Sequence, residues 1–141
     1  TATTTNISSG TWTKVPFTTP SYSYNSGLFG YSSGTVTTTI AGYYLITYRA
    51  TMSAFSANAT MIAGIIVGAD PPAATVPLHG GVRIATSGVT PNLSGSAVVA
   101  VAASTNIALW VWHNTGSTET SPTSNSAIDE NALSVMLVSI S

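Results

Sequence analysis

The sequence predicts an all-β domain, on three observations. Short apolar segments recur at intervals of about 8 to 12 residues between Gly, Pro, Asn and Ser, the spacing of β-sandwiches and barrels. No segment repeats apolar residues at i, i+3, i+4 and i+7 over the length of a helix. Ser and Thr supply roughly a third of the 141 residues and lower helix propensity throughout.

The strands are read in order. Residues 1–10 have no periodicity and are expected to form an arm that needs a neighbour to order it; residues 11–141 form one domain. The first strand is Trp12 to Phe17, followed by the Pro20 break and a Tyr22, Tyr24 stretch. Leu28 to Tyr31 and Thr35 to Ile40 flank a Ser-Ser-Gly turn. Gly42 to Ser53 is the longest segment, with Tyr44, Ile46, Tyr48, Ala50 and Met52 on one side and Tyr43, Leu45, Thr47, Arg49 and Thr51 on the other. That length and composition suit a central strand. Met61 to Val67 follows, and Asp70-Pro71-Pro72 forces a loop because proline cannot donate to a ladder. Val82 to Ala85, Leu93 to Ala102, Ile107 to His113 and Leu133 to Ile140 complete the set, with Asn114 to Ser126 read as a polar loop.

The composition excludes several functions. Hydrophobic residues make up 44% and charged residues only 5%, with a net charge of -1, whereas an average protein is about a quarter charged. Hydroxyls therefore take over solvation. Three cations (Lys14, Arg49, Arg83) release too few counterions to hold a phosphate backbone, so no nucleic-acid partner is expected. With no cysteine there is no disulfide framework, thiolate metal site or cysteine nucleophile. No apolar run reaches the ~18 residues of a spanning helix, and no basic stretch precedes an apolar segment at the start. The chain is expected to be soluble, without membrane insertion. Near-zero charge also removes the repulsion that keeps monomers apart.

The two late strands carry the main functional expectation. Ile107 to Trp112 and Leu133 to Val138 are apolar on both alternating faces. Antiparallel strands ordinarily show one polar face, and a bare second face on a chain with few charges would aggregate. Sister copies are expected to cover it, unless a loop of the same chain does so.

Catalysis finds little support. Asp70, Glu119, Asp129, Glu130, His79 and His113 are the remaining ionisable side chains apart from tyrosines. His113 and Asp129 could join a serine only on paper, with no Gly-x-Ser-x-Gly turn present. Asp129-Glu130 offers hard oxygen ligands suited to calcium, but adjacent loop carboxylates are more often solvated. No enzyme activity, cofactor or metal is expected. His79, between Leu78 and two glycines, reads as a loop or interface hydrogen-bonder. Tyr22 and Tyr24 beside a turn could stack on carbohydrate, with His79 as a further ligand-loop candidate. Core packing is the simpler account of Tyr44 and Tyr48.

Gly42-Tyr43-Tyr44-Leu45-Ile46-Thr47-Tyr48 resembles the signature of the globular head of complement subcomponent one-q and its tumour-necrosis-factor-like (TNF-like) relatives: Gly, any residue, Tyr, any, an aromatic, any, then Phe or Tyr. Ile46 departs from the usual aromatic, and Val36 upstream also stands where Phe is usual. Leu93 to Val99, Asn106 to Val111 and Asp129 to Leu137 resemble the later strands of that family in order. The resemblance implies a jelly roll of about ten strands in two antiparallel sheets, assembled as a homotrimer around apolar strands. The interface is then expected at Tyr44, Ile107, Leu109, Trp110, Trp112, Val135, Met136 and Val138. The Thr-rich opening and Trp12 to Phe17 look like family members in bacteriophage particles. The expected role is a non-enzymatic virion module decorating or cementing a capsid, or heading a fibre; the alternative is a secreted recognition module for carbohydrate or a receptor.

Overall fold

The computed structural model of the chain describes residues 5–17, 27–68, 78–121 and 131–140. Eleven strands are assigned among them: β1 (Thr5–Ile7), β2 (Thr13–Lys14), β3 (Phe29–Ser32), β4 (Thr35–Thr38), β5 (Gly42–Thr51), β6 (Ala59–Val67), β7 (Leu78–Ala85), β8 (Asn92–Val101), β9 (Asn106–His113), β10 (Glu119–Ser121) and β11 (Ala132–Ile140). All pairings are antiparallel.

The larger sheet runs β3-β4-β9-β6-β7, with β2 added against β9; the smaller runs β11-β5-β8. A ribbon of β1 and β10 stands apart from both ladders. The expected central strand, β5, is the middle of the smaller sheet, bounded by Ala41 and the loop after Thr51. Its alternation decides which residues go inside: Tyr44, Ile46, Tyr48, Ala50 and Met52 are all buried. Facing them are Met61, Ala63 and Ile65 of β6 and Ile107, Leu109 and Val111 of β9. The Tyr48 hydroxyl donates to the Ala63 carbonyl at 3.3 Å, tying one sheet to the other.

Local chemistry sets the turns. Ser33 and Gly34 both have positive φ (47° and 79°), so the β3-β4 hairpin uses a two-residue turn matched to strand twist. Gly42 is required for a different reason, since an added Cβ would collide with the Ser139 carbonyl of β11.

Two early expectations change here. The first ten residues are not wholly an arm: Thr5–Ile7 pairs with Glu119–Ser121, and the Ile7 side chain is fully buried in the core. The stretch read as one polar loop after His113 correspondingly contains β10.

Candidate functional site

The outer face of the smaller sheet is the clearest interaction surface. Tyr43 lies between Ser139 and Ala100, and Leu45 lies between Met136 and Val98. Thr47 lies between Ser134 and Ser96, and Arg49 between Ala132 and Ser94. The face therefore grades from apolar at the Tyr43 end to polar at the Arg49 end. Tyr43, Val98, Met136 and Val138 are 49%, 63%, 53% and 57% exposed, a cluster of large apolar side chains in water. Ile140, opposite Gly42 past a register shift between Leu137 and Ser139, is also exposed, at the end of β11.

The expected interface residues separate into three groups. Met136 and Val138 lie on this face. Val135 is on the other side of β11, half-buried against the core opposite Ile46. Tyr44, Ile107 and Leu109 are fully buried within their own subunit and have no surface to offer a sister copy. The Tyr44 hydroxyl is also engaged, donating to the Ile40 carbonyl at 2.6 Å.

Trp110 corrects the reading of β9. Its outward side chains lie on the larger sheet, where Trp110 clusters with Ile66 and Ala108 and is covered by Trp12 of the same chain. Lys14 Nζ adds a cation 6.0 Å from the centre of the Trp110 ring. The strand is apolar on both sides because its own N-terminal segment, not a sister copy, shields Trp110. Trp112 remains half-buried in a row with Ile62 and Val82.

Sequence reasoning missed Tyr43, Leu45 and Val98 as surface residues. The alternation had placed Tyr43 and Leu45 on one side of their strand, but the pairing that sets them beside Met136 and Val98 is long-range.

The remaining candidates are dispersed. His79 is half-buried on β7 in an open groove of about 350 Å³ lined by Tyr48, Gly80, Gly81, Ser94, Gly95 and Ser96 among others. Burial pushes the Tyr48 hydroxyl up from its ordinary pKa, against the lowering effect of a Gly81 backbone bond. Tyr22, Tyr24, Asp129 and Glu130 lie outside the described residues. His113 is fully buried, with Nε2 on the Ile7 carbonyl at 2.9 Å and Nδ1 near Thr115. Glu119 is buried nearby and accepts from Ser56 Oγ at 2.6 Å, from Ser56 N–H at 3.1 Å and from Ser117 Oγ at 3.3 Å. Burial alone would raise its pKa; the Ser56, Ser117 and Thr115 bonds outweigh this and hold the carboxyl below the usual carboxylate range. Among the described residues, no group of three or more His, Cys, Asp or Glu could hold a metal ion.

No protein-family model and no curated protein matches the sequence. Solved structures do match. The globular domain of zebrafish complement 1qA superposes with a TM-score of 0.58 at 12% identity, covering 98% of each chain. Murine APRIL superposes with a TM-score of 0.57 at 12% identity, covering 85% of this chain and 96% of that one. The class these likenesses define is the TNF-like jelly roll. At such identity the likeness concerns the fold.

Proposed function

We propose that the chain is a non-enzymatic structural module that assembles as a homotrimer and decorates or caps a virion, on a capsid shell or at a fibre head. The observation that carries the reading is the exposed cluster of Tyr43, Val98, Met136 and Val138 around the half-buried Leu45 on the smaller sheet. Burying each large apolar side chain stabilises an assembly by about 1.5–3 kcal/mol before association costs. Trimers are typical of C1q and TNF-like proteins, which supports threefold assembly. A face on one copy that meets a different surface on the next closes into a ring when the rotation between copies is a third of a turn. The virion setting draws support from the hydroxyl-rich, weakly charged composition and the phage-like opening of the sequence.

Light scattering tests the assembly. The wild type is expected at three times the 14.3 kDa chain mass, and Leu45→Asp with Met136→Asp at one chain mass with the same circular dichroism. A monomeric wild type at micromolar concentration overturns the trimer. Mass spectrometry of density-banded particles from the organism carrying the gene tests the setting, and absence of the chain from them overturns it.

A further inference from the structure

We propose that Met136 is an oxidation site that controls assembly: its conversion to the sulfoxide by a peroxide holds copies apart. The inference rests on the assembly proposed above and adds a chemical control to the same face. The chain has no cysteine and three methionines, so thioethers are its sulfur targets for an oxidant. Two of the three are sealed. Met52, just after β5, and Met61 of β6 are fully buried in the core, whereas Met136 is exposed. Strand alternation makes the difference. Met136 takes an outward position of β11 opposite Leu45 of β5, with Val98 of β8 beyond it, and Tyr43 and Val138 are exposed on the same face. Its sulfur therefore stands in water at the middle of the apolar cluster.

The oxidant is hydrogen peroxide or an alkyl hydroperoxide. The sulfur lone pair forms an S–O bond to one peroxide oxygen as the O–O bond breaks, and the proton on that oxygen passes to the departing hydroxide or alkoxide. The products are the sulfoxide and water or an alcohol; sulfur loses two electrons and the peroxide gains them. A flexible apolar side chain becomes a polar one. On a free copy the new oxygen is hydrated and costs nothing. Packed against another copy's apolar surface it loses that water, and burying an unpaired polar atom opposes association. The control has a direction, because assembly buries the same sulfur that the oxidant must reach. Peroxide bars free copies and spares assembled ones. With Met52 and Met61 out of reach, the fold of each copy is kept.

Treating the full chain with hydrogen peroxide, then mapping peptides by mass spectrometry and weighing the assembly by light scattering, tests this. Met136 is expected to take up one oxygen before Met52 and Met61, more slowly as protein concentration rises. The oxidised chain is expected to associate about tenfold more weakly or less, with unchanged circular dichroism. Met136→Leu, similar in volume but without sulfur, is expected to keep three times the chain mass before and after peroxide. A wild type at one chain mass before treatment overturns the assembly reading and this inference with it. An assembly that keeps its mass after Met136 is oxidised overturns this inference alone, as does oxidation of Met52 or Met61 ahead of Met136. So does peroxide-induced dissociation of Met136→Leu. Should that variant not assemble, repair decides: methionine sulfoxide reductase with a thiol reductant is expected to restore the wild-type mass, and a chain that stays dissociated once Met136 is reduced overturns the inference.

Discussion

Gly95 of β8 lies directly opposite Tyr48 of β5, and a Cβ on Gly95 would stand 2.8 Å from the Tyr48 ring. The missing side chain lets the ring lie against the strand and extend its hydroxyl toward Ala63 in the other sheet. Gly95→Ala is expected to cost about 1–3 kcal/mol, the range for overpacking a filled site. Thermal unfolding checks this against Gly30→Ala, whose nearest neighbour is 3.6 Å away and which is expected to be near neutral. Equal melting temperatures for the two variants would remove the steric account.

Trp12 covers Trp110 from outside the larger sheet. Trp12→Ala is expected to destabilise the domain by about 1–2 kcal/mol, as for a partly buried aromatic. Iodide is expected to quench Trp110 more readily in the variant than in the wild type. Unchanged accessibility of Trp110, measured in a Trp112→Phe background, would mean that something other than Trp12 shields it.

Glu119 gives stability a dependence on acid. Its folded carboxyl lies below the usual range because the Ser56, Ser117 and Thr115 bonds outweigh the desolvation that would raise it. The unfolded state therefore binds the proton first, so the contribution is complete above the unfolded value and fades as pH falls through the folded one. The melting-temperature gap between wild type and Glu119→Gln is expected to be widest near neutrality and to narrow below about pH 4.5. A gap that widens toward acid would reverse the sign.

Much of the fold was legible because its signals are local. The alternation from Tyr44 to Met52 placed the buried side of β5, and the Ser-Ser-Gly turn marked the β3-β4 hairpin. What escaped depends on distant partners. Thr5–Ile7 is too short to announce a strand and owes its order to β10 and His113, more than a hundred residues away. The apolar double face of β9 carried two explanations, and only the position of Trp12 separates them. The candidate surface was partly legible: Met136 and Val138, expected at an interface, are exposed on it, while Tyr43, Leu45 and Val98 join them through ladder register that no local pattern encodes.

The register shift in β11 bears on any alignment of this chain with the complement 1qA and APRIL structures whose fold it shares. Leu137 faces Tyr44 but Ser139 faces Tyr43, so Val138 is one residue more than the partner strand can match. Upstream of it even-numbered positions look outward, and downstream the parity is exchanged. An ungapped alignment through Val138 would assign Ser139 to the inward side of the strand, although it stands beside Tyr43 on the outer one.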